Sequence, residues 1–300
     1  MRLTFAATMR DTYDGIATAA ERMIKYQRQI STGIRVAQPS DDPSATATTI
    51  SEKAAKASYE QYVQAGDSAE SRLSVADTLL SDIIDKLAAA RTAILSAQGS
   101  ETTDAQRENG AQSLASLRDA ILEDVTTSFR GTYMFGGAAG TVRPYSKDVN
   151  GVVQPYAGSA QEVTVDIDRN RPVTVVFNGD AIVTGNDATD LFTAFDNAIV
   201  AARAGDADAL HTASGALQRA FDRASQVQST VGTSLNAIAD HSARLESAGR
   251  ASTARVSSLE EANMAEAISG LQQAETAYNA ALGAASHTTR RSLFDYLVGG

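Results

Sequence analysis

Apolar residues recur at heptad spacing along most of this chain. In the first segment Met9, Thr12, Ile16, Ala19, Met23, Tyr26 and Ile30 alternate three and four residues apart, which is the stripe of a helix that packs along another helix. Gly33 follows as a stop signal. Asp42 is placed to cap a second helix, with Pro43 as its first residue, where a missing N–H costs nothing. In that helix Tyr59, Tyr62, Gly66, Ala69, Leu73, Ala76, Leu80, Ile83, Leu87, Ala90, Ile94 and Ala97 hold one register without a break. From Ser44 to Gln98 it should measure about 80 Å. Gly99-Ser100-Glu101 ends it, and a third helix, roughly 103–130, places Leu114, Leu117, Ile121 and Val125 on one face. The short connection predicts an antiparallel hairpin of the two, with Leu80, Ile83 and Leu87 in mid-seam and Lys86 off it.

The period changes at Gly131. Residues 131–185 are rich in Gly, Val, Tyr and Thr, with prolines at 144, 155 and 172. Residues 162–168 alternate with period two, 173–177 read as a second strand, and Arg169-Asn170-Arg171 as the turn between them. Residues 151–153 and 181–183 read as weaker strands. Helix resumes near Thr189 with Leu191, Phe192, Phe195 and Ile199 on one face. Asp206 can cap a further helix, in which Leu235, Ile238, Ser242 and Leu245 continue a heptad that Gly249 and Ser252 weaken and Val256 and Leu259 restore. After a phase shift the stripe continues as Met264, Ile268, Leu271, Glu275, Tyr278, Leu282 and Ala285. The expected fold is mainly α: an elongated, coiled-coil-like helical bundle built from both chain ends, with a small inserted β domain. Its segments are 1–43 (N-terminal assembly helix and turn), 44–130 (long helical hairpin), 131–188 (β domain), 189–259 (returning helices) and 260–300 (C-terminal assembly helix and tail).

Composition sharpens this picture. Of 300 residues 43% are hydrophobic, yet only 6% are aromatic and Trp is absent, which suits slim helix packing better than a thick enzyme core. The net charge of −10 argues against a general nucleic-acid binder. Residues 1–36 carry six Arg and Lys against three acids, whereas 140–210 carry ten acids against five bases. Such a contrast can help subunits orient, although solvated faces give the same pattern. Cysteine is absent, which removes disulfides, thiolate metal sites and Cys nucleophiles. No apolar run approaches the length needed to span a bilayer, and the N-terminal stretch lacks the apolar core of a secretory signal, so export would take another route.

Active-site chemistry is not legible. His211, His241 and His287 are far apart and have no partners at metal-ligand spacing. Gly136-Gly137-Ala138-Ala139-Gly140 lacks the Lys-Ser/Thr of a phosphate-binding loop. Asp41-Asp42 and Glu260-Glu261 read as caps and surface charge. The expectation is a non-enzyme without metal or cofactor.

Three motifs carry a family resemblance. Gln29-Ile30-Ser31-Thr32-Gly33-Ile34-Arg35 followed by Pro39-Ser40-Asp41-Asp42-Pro43 resembles an N-terminal segment shared by flagellins and flagellar hook–filament junction proteins. Phe129-Arg130-Gly131-Thr132-Tyr133-Met134-Phe135-Gly136-Gly137 is similar to the junction proteins' boundary between long helices and β domain. Ala277-Tyr278-Asn279-Ala280-Ala281-Leu282 and the closing Ser292-Leu293-Phe294-Asp295-Tyr296-Leu297 resemble their C-terminal end, with Asn263 standing where Asp is frequent. The resemblance implies a structural subunit exported by the flagellar type III route, forming a homo-oligomeric ring between another hook-associated junction protein and flagellin, and guarded by a cytosolic export chaperone. The alternatives are a short flagellin or, less in keeping with the motifs, a cytosolic coiled-coil signalling protein. The N-terminal assembly candidates are Met9, Ile16, Met23, Tyr26, Ile30, Arg35, Asp41, Asp42 and Pro43. Those for C-terminal assembly or chaperone binding are Met264, Ile268, Leu271, Tyr278, Leu282, Leu293, Phe294, Tyr296 and Leu297. Because each terminal stripe buries little alone, roughly residues 1–40 and 260–300 are expected to be mobile in a monomer and to become helical on assembly.

Overall fold

A computed structural model describes the backbone of residues 2–99 and 102–298, and side chains from 7 to 286 except 8, 100 and 101. It is 73% helical, with long terminal helices and a small strand region. The helices are α1 (Arg2–Thr32), α2 (Pro43–Ala97), α3 (Asp104–Val125), α4 (Gly179–Val183), α5 (Leu191–Ala204), α6 (Ala207–Glu260) and α7 (Met264–Val298). The strands are β1 (Ser128–Phe129), β2 (Thr132–Tyr133), β3 (Val163–Asp166) and β4 (Pro172–Val176). The chain forms two compact units, one of residues 1–58 with 248–300 and one of 59–247.

In the 59–247 unit, the α2 stripe is the spine of the core. Leu73, Ala76, Leu80, Ile83, Leu87, Ala90 and Ile94 have no exposed surface. They meet Leu114, Ile121 and Val125 of α3, Phe192 and Phe195 of α5, and a seven-residue repeat on α6: Leu210, Leu217, Ala224, Val231 and Ile238. Alternating Leu or Ile with Ala lets the helices interdigitate closely. Lys86 Nζ on α2 pairs with Asp124 Oδ2 on α3 at 2.5 Å, and Gly110 on α3 faces Ala97 near the connection, so the two helices run antiparallel. Lys86, placed off the seam by the spacing, thus has a half-buried partner. Helix α5 returns along α3 through Arg203–Glu108 and Arg118–Asp196 ion pairs.

Helix α3 stops at Val125, short of the expected 130, where Thr126 leaves helical geometry (φ −103°, ψ 10°) and the chain turns into β1. The chain then makes a tight β1–β2 hairpin. Arg130 and Gly131 both have positive φ, 49° and 79°, the geometry of a type I′ turn. At Gly137 (φ 59°) an added Cβ would lie 1.9 Å from the Ser159 carbonyl oxygen, so this glycine is enforced by backbone crossing. Strands β3 and β4 pair antiparallel around a turn in which Asn170 has φ 60°. Two expected strands differ. Residues 151–153 make only the isolated bridge Lys147↔Val153. Residues 181–183 lie in α4, because Asn178 caps that turn and Arg223 of α6 donates to its last carbonyls, Ile182 and Val183, at 3.0 Å each.

In the other unit α1 and α7 pack together, tied by the bridge Ile34↔Glu261. With Tyr26 opposite Gly270, the pairing is antiparallel.

Candidate assembly surface

The turn after α1 is built by its acidic pair. Gly33 (φ 71°) ends the helix, its amide donating to Gln29 O at 2.8 Å. Asp41 Oδ2 accepts the amides of Ala37 and Gln38 at 3.1 and 3.0 Å, and Arg28 approaches its other oxygen at 3.8 Å. Burial works to raise the Asp41 carboxyl, but those amides and the Arg28 and Lys25 charges outweigh it and hold it below the ordinary value. Asp42 Oδ1 accepts the Ala45 amide at 3.0 Å and caps α2, whose first residue is Pro43. That amide is the main cause lowering the Asp42 carboxyl, against some desolvation and with help from Arg35. Arg35 joins both ends of the chain: its guanidinium reaches Asp42 Oδ2 at 3.4 Å and donates to the Leu259 carbonyl, in the last turn of α6, at 2.9 Å. The backbone repeats the link, with Arg35 N–H donating to Glu260 O at 2.6 Å and Ala262 N–H to Gly33 O at 2.8 Å.

On α1 the buried face is the stripe expected from spacing. Ala19 is buried, and Met9, Thr12, Ile16, Met23, Tyr26 and Ile30 are half-buried. On α7 the face keeps Leu271, Tyr278 and Ala285 of the expected stripe but not Met264, Ile268, Glu275 or Leu282. Its buried positions are Ala267 and Ala274, with Leu271, Tyr278, Ala281 and Ala285 half-buried, again a heptad but rotated. Met264, Ile268 and Leu282 remain 43%, 46% and 43% exposed, and Glu275 is exposed as well. The reason is steric: the Tyr26 ring occupies the space at Gly270, where a Cβ would sit 2.5 Å from it, so the small-residue face of α7 turns inward. Tyr13 and Ile24 on α1 also face outward, 65% and 58% exposed. The side chains of Leu293, Phe294, Tyr296 and Leu297 lie outside the described residues.

Sequence reasoning missed a set of charges on α2 and α6. Glu52 pairs with Arg255 at 2.9 Å and Lys53 with Glu260 at 2.7 Å. Bonds from Ser252 and then Arg255 lower the Glu52 carboxyl. These partners are some two hundred positions apart, and no local signal marks them. Among the described residues no three His, Asp or Glu side chains converge as metal ligands, and no helix is long and apolar enough to cross a membrane. His241 instead pairs Nε2 with Asp168 Oδ2 at 2.8 Å.

Comparison with known proteins fits this construction. Residues 5–139 match the bacterial flagellin N-terminal helical region. The chain is 26% identical over 317 aligned positions to flagellar hook-associated protein 3 of Escherichia coli strain K12, spanning 98% of this chain and 99% of that protein. It is 28% identical to the Salmonella typhimurium protein of the same name, over 67% of this chain and 66% of that one. In fold it is similar to FlgL of Bacillus cereus (TM-score 0.60, 16% identity, 69% of this chain and 99% of that one). It is likewise similar to the flagellar junction protein FlgL of Legionella pneumophila (TM-score 0.60, 15% identity, 71% and 100%). With terminal helices joined through Arg35, a stretch similar to the flagellin N-terminal helical region and an alignment across nearly its whole length, the chain is similar in sequence to flagellar hook-associated protein 3 and in fold to FlgL.

Proposed function

We propose that this chain is the structural subunit joining hook to filament, and that it assembles through α1 and α7. The observation that carries the reading is the thin, alanine-lined pairing of these helices, which leaves Met264, Ile268, Leu282, Tyr13 and Ile24 facing outward. Large apolar side chains at heptad spacing on a solvent face call for a further helix. Similarity to hook-associated protein 3 along 98% of the chain supports the junction as the place of assembly. The proposed partners are further copies of this chain in a ring, the other hook-associated junction protein, flagellin, and a cytosolic chaperone. The chaperone would cover Met264, Ile268, Leu271, Tyr278 and Leu282, with Leu293, Phe294, Tyr296 and Leu297 beyond them, until export by the flagellar type III route.

The flagellin-type match at residues 5–139 favours a second reading, a short flagellin that builds the filament itself. Electron microscopy of a deletion strain separates the two. A junction subunit leaves hooks formed while flagellin is shed into the medium. A filament subunit leaves no secreted flagellin of another kind. Deletion without effect on filaments would overturn both.

A further inference from the structure

The chain holds three Asn-Gly pairs, Asn109-Gly110, Asn150-Gly151 and Asn178-Gly179, and the fold treats them differently. Asn109 and Gly110 lie inside α3, where the glycine amide belongs to the helix ladder. Gly179 is buried, its amide donating to Phe135 O at 3.0 Å, while the Asn178 side chain accepts the Asp180 amide at 3.0 Å as the cap of α4. Asn150 is exposed at the tip of the loop closed by Lys147↔Val153, next to Val149, which has its full surface in solvent. Gly151 (φ 80°) holds its amide to Asp148 O at 3.1 Å in a turn bond, and a Cβ added there would meet nothing within 4 Å.

We infer that Asn150-Gly151 is a spontaneous deamidation site, set apart from the other two pairs by the fold. The deprotonated Gly151 amide nitrogen attacks Asn150 Cγ. An N–C bond forms, the Cγ–N bond breaks and ammonia leaves, giving a succinimide. Water then opens the ring at either carbonyl, leaving aspartate or isoaspartate. Glycine at 151 permits the approach because no Cβ shields its nitrogen. Each event adds a negative charge two residues from Asp148, whose Oδ1 accepts the Asn150 and Val152 amides at 2.8 and 2.9 Å. The isoaspartate product also lengthens the backbone by one carbon inside the Lys147↔Val153 closure. The segment therefore acquires charge and loosens with age.

The test incubates the purified full chain in mildly alkaline buffer and maps peptides by mass, with hydroxylamine cleavage to trap the succinimide. Asn150 should convert at least about tenfold faster than Asn109 and Asn178, whose reaction requires local unfolding. Hydroxylamine should cut the native chain between 150 and 151. In denaturant all three sites should react at similar rates, and Gly151→Ala should slow the native site. Conversion of Asn150 no faster than at the other two pairs in the folded chain overturns the inference. So does a native rate difference that persists unchanged in denaturant, since it would then belong to local sequence.

Discussion

At the scale of single residues, charge partners decide what a position tolerates. Lys86 reads as a spectator beside the α2 seam, yet its ammonium is the counter-ion of Asp124, which desolvation raises above the ordinary carboxylate value despite that lysine. Lys86→Ala should therefore cost about 1–3 kcal/mol in urea unfolding, because a half-buried carboxylate is left alone. An acid whose folded pKa is raised binds more protons folded than unfolded, so stability falls as pH rises through that window. The variant should lose more stability than the parent across it. Equal stability of Lys86→Ala and parent at every pH would dispose of the pair. Asp41 and Asp42 have the opposite sign. Both carboxyls are held low, so their support is complete above the unfolded value of about 3.9 and is lost as pH falls through the lower folded values. Acid titration should then release the 33–43 turn, seen as faster amide exchange at Ala37, Gln38 and Ala45. Asp42→Asn should blunt the response at Ala45.

Among the elements, α2 was almost fully legible, because twelve positions kept one register and burial selects for that register alone. Leu80→Ala or Leu87→Ala should cost about 2–4 kcal/mol through the cavity left. Asp85→Ala, exposed on the same helix, should cost under about 0.5 kcal/mol. Matching losses at all three would mean that the seam is misassigned. The weak strand expected at 181–183 failed for a long-range reason: Arg223, some forty positions later, holds the α4 carbonyls. The α7 stripe holds at Leu271, Tyr278 and Ala285 and departs at its other positions for a related reason. Spacing favours the large side chains Met264, Ile268 and Leu282, whereas the pairing obeys the hole at Gly270 that receives Tyr26. Which of two overlapping heptads faces inward depends on the partner, and a single helix does not display it. Gly270→Val should expel the ring and speed amide exchange in α1. Gly283→Val, with open space at its Cβ, should not. If the two variants exchange alike, α1 does not dock through Gly270.

For the whole molecule, the two units differ in how much apolar surface holds them. The 59–247 unit owns a continuous core of Leu, Ile, Val and Phe side chains with almost no exposure. The α1–α7 pair rests on alanines, on a tyrosine over a glycine, and on the Arg35 bonds to Asp42 and Leu259. Sequence reasoning expected these ends to order only on assembly; in the structure they are helical and packed on each other. The two descriptions differ in free energy rather than in secondary structure. A pairing this thin opens at modest cost, since each buried alanine contributes far less than a leucine. Hydrogen exchange on the full monomer should therefore find amides of α1 and α7 exchanging well before those of Leu80, Ile83, Leu87 and Ile238. Limited proteolysis should cut first outside 59–247. Arg35→Ala should widen the gap by releasing the link to Leu259, while leaving exchange at Leu80 unchanged. Protection of α1 and α7 equal to that of the Leu80 layer in a verified monomer would refute this ordering. The terminal helices would then be unable to exchange their internal partner for a neighbouring subunit, and the assembly proposed above would have to proceed through the outward residues Met264, Ile268 and Leu282 alone.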